Sequence, residues 1–518
     1  MILCAVLAVV MNIVANRMAA KVAMDSTRAL RHDLFDKTMR LSSSNVDRFT
    51  IPSLESRLTS DTYNVHHFIG MMQRLGVRAP ILLVGGLIIT MAIDWRLSLV
   101  MFSIVPFIAI SVMFISKRGI PLYKNVQHSV DGMTRVVRED AQGIRVIKAL
   151  SKTEHERGRY DAANRALVRD EEKAGITMAA SNPIMTFLMN LGIVAVVFVG
   201  AILINKGVST SGKIIAFMQY FTLISMAMMS ITRIFVMLTK CSASANRIGE
   251  VLETEDDLKV LPASSYPRVA SGEEGYITFD KVNFSYNKTK NNLTDISFKV
   301  RRGGSLGIIG ATGSGKSTII SLLMRFYDVD SGCIRIDGRD VRTIPPEELH
   351  SMFGVALQND FIYADTVEEN VKFGRDISRD ELVRAAKMAQ ALDFIEAFED
   401  GWEHMLTSKG TNVSGGQKQR LLITRALAGR PDILVLDDSS SALDYKTDSL
   451  LRKAIRESEV ETTLIVVAQR ISSVMSSDLI VVLEEGEIIG IGDHETLLRS
   501  CDVYREISES QMGGAFLE

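Results

Sequence analysis

What this chain lacks narrows its class before any motif is read. Its 518 residues hold four cysteines, Cys4, Cys241, Cys333 and Cys501, far apart and without a CxxC pair or a His-Cys cluster. That argues against a disulfide framework or a zinc site, and it fits a reducing interior for the segment carrying Cys333 and Cys501. Eight histidines show no metal-ligand spacing. Even His66 and His67, being neighbours, point in different directions, so the histidines read as ordinary surface or core residues. There is no excess of either charge: 59 Lys and Arg stand against 61 Asp and Glu, a formal net charge of −2. Nothing in that balance suggests nucleic acid as a partner. The first residues do not read as a secretory signal either. Met1 to Ala15 are apolar apart from Asn12 and charge follows at Arg17, whereas a signal places charge first and small residues at a cleavage point.

What is present is apolar sequence in long runs. Hydrophobic residues make up 47% of the chain and the mean hydropathy is +0.15. A bilayer-spanning helix needs about 20 apolar residues. Residues 97–116, 176–205 and 214–232 carry no charge, and 80–93 extends backwards through 68–72. With the first fifteen residues, five membrane helices are expected. The first is short for a span, so it reads as a helix cut at its outer end or starting late. Basic residues cluster after the first run (Arg17, Lys21, Arg28, Arg31, Lys37, Arg40) and after the third (Lys117, Arg118, Arg135, Arg138, Arg145, Lys148), while 94–96 and 205–213 are short and poor in them. The positive-inside rule therefore places 17–65 and 117–175 in the cytoplasm and the N-terminus outside. Arg233, at the inner end of the last run, reads equally as a contact to an anionic substrate or as an arginine snorkelling to the interface. Met226, Met228, Met229 and Met237 read as lipid-facing or bundle packing before cavity lining.

The second half changes character. After a linker at 246–275, containing Leu261-Pro-Ala-Ser-Ser-Tyr-Pro-Arg268, a domain spanning 276–512 opens with alternating Ile277-Thr-Phe279 and Val282-Asn-Phe284. Its marker is the apolar run Leu306-Gly-Ile-Ile-Gly310 leading into Gly310-Ala-Thr-Gly-Ser-Gly-Lys-Ser-Thr318 and then an apolar helix from Ile319. Strand, glycine loop and helix in that order make a phosphate-binding loop, with Gly310, Thr312, Gly313, Ser314, Gly315 and Thr318 in the wrap. Backbone N–H groups turn inward, Lys316 reaches β/γ-phosphates and Ser317 offers an Mg2+ ligand, at a helix N-terminus that favours anions. About a hundred residues on come Asn412-Val-Ser-Gly-Gly-Gln-Lys-Gln-Arg420, the strand Ile433-Leu-Val-Leu-Asp437-Asp438, and Ser441-Ala-Leu-Asp444.

Those three segments in that order resemble the ATP-binding cassette (ABC) family, and the resemblance extends over essentially the whole chain to exporters that fuse membrane and nucleotide domains, including bacterial-type multidrug exporters. It implies an α-helical membrane domain at 1–245 followed by an α/β P-loop NTPase domain, with a parallel-sheet core and a helical subdomain inserted at about 365–428. It also implies that Phe49–Asp61 and Arg138–Leu150 belong to intracellular loops carrying coupling helices. By the same resemblance Tyr286 stacks on adenine, Gln358 approaches Mg2+ and senses the γ-phosphate, and Asp437 holds Mg2+ with Ser317. Ser414, Gly415, Gly416 and Gln417 bind the γ-phosphate of ATP held by the opposite subunit, and Asp444 communicates between sites. The implied cofactors are ATP and Mg2+, and the chain is expected to be an ABC-type ATPase and translocase in the plasma or inner membrane. The implied partners are a second ABC half, the lipid bilayer and an exported substrate that no residue identifies. Exporters of this type have six helices per half, so this chain resembles one beginning in the second.

Two positions depart from the family pattern. Where a Glu orients attacking water stands Asp438, one methylene shorter. Where a switch His contacts the γ-phosphate stands Gln469, which hydrogen-bonds but carries no proton charge near neutral pH. Both are catalytic positions, and together they resemble the degenerate half of heterodimeric exporters. The signature 414–417 is intact beside Val413, which replaces a common Leu, and Thr407-Ser-Lys-Gly410 replaces an acidic-basic run. The expectation is an own site that binds ATP and turns over slowly, and a signature that completes a competent site on a different partner. The alternatives are a regulatory membrane protein that senses ATP without turnover, or a fragment that has lost its first helix.

Overall fold

The computed structural model describes residues 2–269, 275–358, 360–438, 443–458 and 461–512. These form two compact units, one of Met1–Met39 with Pro52–Thr254 and one of Arg40–Ile51 with Glu255–Glu518.

The first unit is helical throughout. Its helices are Ile2–Met39, a run through Ile51–Ile93 widened by π-turns at Arg57–Asp61 and Met72–Gly76, then Trp95–Ala149, Thr153–Ala179, Ser181–Asn205 and Ser211–Leu252. Among the described residues four helical stretches are long and apolar enough to span a membrane: Ile2–Met39, Ile51–Ile93, Thr153–Asn205 and Ser211–Leu252. The remaining expected run, 97–116, lies inside the 55-residue helix Trp95–Ala149, where Trp95–Ile104 forms a shorter apolar stretch. Small residues let the helices approach. A Cβ placed on Gly192 would lie 2.4 Å from Phe221 Cζ, and one on Gly86 would lie 2.9 Å from Ile224 Cγ1. Apolar bundles without a strong hydrophobic drive pack through just such contacts. The core they close holds Leu97, Met101, Val196, Phe217, Phe221 and Ile224. The two short connections poor in basic residues meet: Asp94 caps Trp95–Ala149 at Arg96 N (3.1 Å), accepts from Ser209 Oγ (3.2 Å) and faces Lys213 Nζ at 3.8 Å.

The second unit carries two sheets. A four-stranded antiparallel sheet has the order β2-β1-β4-β5, formed by β1 Ile277–Phe284, β2 Leu293–Val300, β4 Ser331–Ile336 and β5 Arg339–Asp340. A six-stranded sheet has the order β10-β9-β3-β8-β7-β6, from β3 Ser305–Gly310, β6 Phe353–Ala356, β7 Ile433–Asp437, β8 Thr463–Ala468, β9 Leu479–Glu484 and β10 Glu487–Gly492. All but β10 run parallel. Every residue of β7 and β8 is buried, as continuous apolar runs in a parallel sheet covered on both faces require. Between β6 and β7 lie the helices Val367–Lys372, Arg379–Met388, Leu392–Glu396 and Gly415–Ala428, in the place where an inserted helical subdomain was expected. The linker is tied to this unit: Leu261 N donates to Arg342 O (2.9 Å), and Arg325 donates to Lys259 O (2.8 Å). The short helix Ser43–Phe49 from the first cytoplasmic connection also belongs here, capped by Ser42, whose hydroxyl donates to Asp257 (2.8 Å).

Candidate functional site

Parallel strands present their carboxyl ends on one edge, and ligands of open α/β sheets bind beyond that edge. β3 ends at Gly310 and opens into the glycine loop, and β7 ends at Asp437. β8 ends one residue before Gln469, and β6 ends two residues before Gln358. The fold therefore gathers four separately read segments at one edge, although Asp437 and the loop are parted in the sheet by β8.

Within the loop, Gly313 and Gly315 take left-handed backbone (φ +85° and +101°), a conformation costly for a residue with a Cβ. Space around Gly313 is open, while a Cβ on Gly315 would lie 2.6 Å from Leu293 Cδ2. One glycine shapes the cradle and the other lets the loop pack on β2. Lys316, the first residue of its helix, is buried, and its ammonium donates to Gly310 O (2.8 Å) and Ala311 O (2.7 Å). Burial pulls its pKa below the ordinary lysine value, opposed by the carboxylates of Asp437 and Asp438. Among the described residues the buried Ser314 hydroxyl has no hydrogen-bond partner, which is costly unless a ligand supplies one. An orphaned hydroxyl, an open left-handed cradle and a dehydrated ammonium fit a polyphosphate.

Hard oxygen donors stand beside it. Asp437 is buried, with the Ser317 hydroxyl close enough to act on its carboxylate. Burial pushes its carboxyl up, Asp438 adds to the rise, and Ser317 and Lys316 pull it down. Gln358 Nε2 donates to Asp438 Oδ2 at 3.3 Å. Of the three residues expected at Mg2+, Ser317 acts on Asp437 while Gln358 bonds to the neighbouring Asp438, so the three are joined through the peptide between 437 and 438. Asp438 is left-handed (φ 49°), and its N–H donates to Val467 O (2.8 Å). Gln469 is exposed just beyond β8. Its carbonyl accepts from Gln511 Nε2 (2.9 Å), while Ile471 N donates to Gln511 Oε1 (2.8 Å). Gln511, which sequence reading passed over, clamps both sides of that position from the helix Asp502–Met512.

Tyr286 Oη lies 3.3 Å from Thr318 Oγ1, and its ring meets Tyr327 edge-on at 5.1 Å. Tyr327 Oη in turn donates to Asp47 Oδ2 at 2.6 Å. An aromatic pair therefore links the loop to the helix Ser43–Phe49, a connection invisible in sequence because its members lie far apart along the chain.

Ser414 caps the helix Gly415–Ala428 in a capping box. Its hydroxyl accepts from Gln417 N (3.2 Å), and its own N–H donates to Gln417 Oε1 (2.9 Å). With those two groups occupied with each other, the N–H groups of Gly415 and Gly416 donate to no acceptor among the described residues, as anion binding needs. Among the described residues no hydrogen bond or ion pair joins 414–417 to the glycine loop of the same chain. Asp444 caps the helix Tyr445–Arg456 by accepting from Thr447 N (2.9 Å) and Thr447 Oγ1 (2.8 Å), and these bonds hold its pKa below the ordinary value. Residues 441 and 442 of the same motif lie outside the described residues. Another residue not anticipated is Arg425, on the signature helix. Its guanidinium donates to Asn370 O (2.7 Å), Asn370 Oδ1 (3.1 Å) and Phe361 O (2.9 Å), and faces Asp360 at 3.4 Å. It pins the segment after Gln358 to the helix that Ser414 starts.

Known proteins share these features. Residues 1–228 match the family model described as ABC transporter transmembrane region, and 293–441 match the one described as ABC transporter. The chain is 35% identical over 497 residues to the uncharacterized ABC transporter ATP-binding protein YfiB of Bacillus subtilis, covering 96% of this chain and 86% of that one. It is 30% identical over 489 residues to the ATP-dependent lipid A-core flippase of Vibrio vulnificus, covering 93% and 83%. A solved structure of a bacterial Atm1-family ABC exporter with ATP bound superposes with a TM-score of 0.80 at 25% identity, covering 96% and 86%.

Proposed function

The chain belongs to the ABC transporter family, as an exporter half in which a helical membrane domain and an ATP-binding cassette share one polypeptide, and from that premise we propose an unequal division of labour between its two nucleotide-binding parts. It is a multi-pass membrane protein with a cytoplasmic nucleotide-binding domain, an ATP-driven transport subunit that works as a dimer. Beyond that, its own glycine-loop (Walker) site at 310–318 binds ATP and turns over slowly, while its Ser414–Gln417 segment completes a competent site on a different ABC half. The exported compound is small or amphipathic.

The observation that carries this reading is the pairing of Asp438 with Gln358 at 3.3 Å and the presence of Gln469 beyond β8, beside a fully formed capping box at Ser414. ATP with Mg2+, when bound, supplies the phosphoryl group whose release drives the cycle. Lys316, Ser314 and the glycine-loop amides hold its phosphates, and Ser317, Asp437 and Gln358 hold the cation. Aligning a water is then left to a shortened carboxylate. A displacement near 1 Å can cost about a hundredfold, and no histidine stands at 469 to stabilise the γ-phosphate. The signature helix keeps every group its task needs.

The tagged chain should be purified in mild detergent from its native membranes. A stoichiometric second ABC half carrying Glu and His at the two altered positions is the expected companion. ATPase activity of that complex should fall at least tenfold in Ser414→Ala and stay within about threefold in Asp438→Asn. Purification of this chain alone, with turnover abolished by Asp438→Asn, would make Asp438 a working base and overturn the division.

A further inference from the structure

The membrane unit encloses a cavity of about 1130 Å³, roomy for a drug-sized ligand. Arg74, Arg78, Arg233 and Lys240 line it, with no aspartate or glutamate among the lining residues. Arg74 donates to Gly70 O (2.9 Å); among the described residues none of the four cations is in an ion pair. Charged groups at membrane depth pair with one another, with backbone carbonyls, or with what passes through. Four cations around one cavity without a carboxylate leave the counter-charge to be brought in.

The remaining lining residues say what else the occupant carries. Met229, Arg233, Met237 and Lys240 follow at four-, four- and three-residue spacing on Ser211–Leu252, so one helix face presents two thioethers alternating with two cations. Arg74 stands in the π-turn Met72–Gly76, a local widening common at functional sites. Arg74 and Arg78 stand between the apolar stretches 68–72 and 80–93, on the cytoplasmic side of the latter, and Arg233 and Lys240 follow 214–232. Ile81 and Leu82 line the same space further into the bilayer. The cavity is therefore basic at its mouth and apolar, with adaptable methionines, beyond it.

We propose that this cavity binds an amphipathic anion, a phosphate, sulfonate or carboxylate head on an apolar body, seated with the head among Arg74, Arg78, Arg233 and Lys240. This deepens the transport reading by naming its substrate class, and it assigns Arg233 to ligand contact. Either a lipid of the inner leaflet or a soluble amphipathic anion has the required chemistry.

The test uses the intact complex in phosphatidylcholine nanodiscs without nucleotide. It is titrated with dansyl-undecanoic acid and with the methyl ester of the same probe, with empty discs as the blank. The acid should bind at least tenfold more tightly than the ester. Arg233→Gln and Arg78→Gln should each weaken the acid about tenfold while moving the ester less than twofold, and Arg233→Lys should recover most of the loss. Equal binding of acid and ester to the unmodified complex overturns the proposal, and that comparison needs no variant to fold. If the acid is preferred, a second set of discs containing phosphatidylglycerol identifies the source. Competition there assigns the head site to a bilayer lipid, and undiminished binding assigns it to a soluble anion. Because binding is read without ATP, a complex lacking ATPase activity refutes the transport reading and leaves this result standing.

Discussion

Asp438 holds a left-handed backbone angle of 49° and is tethered by Val467 O and Gln358, so its carboxylate is placed by the strand end and cannot swing out to recover the missing methylene. Lengthening it and restoring the histidine, as Asp438→Glu with Gln469→His, should raise turnover at this chain's own site at least tenfold. Single-site turnover, measured with the partner's Walker lysine disabled, is the readout, and no increase would place the deficit elsewhere. Asp437 makes a second residue-level statement. Its pKa is raised by burial, with Asp438 adding to the rise. An acid raised on folding loses stability as pH climbs from its unfolded value, near 4, through its folded one. At pH 7 the ionised carboxylate therefore costs stability in nucleotide-free protein. Asp437→Asn should raise the thermal midpoint of that form at pH 7, lose the gain below about pH 4, and abolish protection by Mg·ATP. A lowered midpoint at pH 7 would contradict the sign.

Among elements, the signature helix Gly415–Ala428 is held to the segment that follows β6 through one guanidinium. Burial lowers the Arg425 pKa, partly offset by Asp360, and its fork satisfies two acceptors on Asn370, a residue 2% exposed. Removing it strands the buried Asn370 carbonyl, while Asn370 Oδ1 keeps its bond from Tyr363 N (2.9 Å). Arg425→Ala should cost about 3 kcal/mol, and Arg425→Lys, lacking the planar fork, should recover less than half of that. Chemical denaturation of the full chain checks both, and a lysine variant as stable as the parent would show the fork to be dispensable. Strands, capped helices and the glycine loop were legible because each is specified by neighbours: apolar runs of strand length, Ser414 with Gln417 three residues on, glycines where φ turns positive. Arg425 and Gln511 were not, since their partners lie tens of residues away and basic or amide residues on polar faces carry no local mark.

For the whole molecule, the segment Arg40–Ile51 packs with the cassette while its chain continues directly into the membrane unit's helix from Pro52. Besides the Ser42–Asp257 bond, Tyr327 Oη attaches it at Asp47 (2.6 Å), beside the Tyr286 ring. Burial, with the Asp47 carboxylate adding to it, pushes the Tyr327 phenol well above its ordinary value, so the proton stays on Tyr327. Tyr327→Phe and Asp47→Ala should each weaken ATP binding to the assembled transporter by about 1 kcal/mol, and the double variant by no more than either alone. Additive losses would mean that the two act separately.

By itself the sequence determined the family and the presence of an ATP-binding cassette, because a phosphate site is written in contiguous residues whose geometry one strand, loop and helix supply. It also determined that the first half lies in a membrane, since apolar runs of bilayer length have few other uses. Only the tertiary structure decided which distant residues meet. It brought Gln358 to Asp438 and set Gln511 across the switch position. It also turned Arg74, Arg78, Arg233 and Lys240 toward one space. Such groupings depend on how helices and strands pack, and packing is a property of the whole chain that no single segment contains.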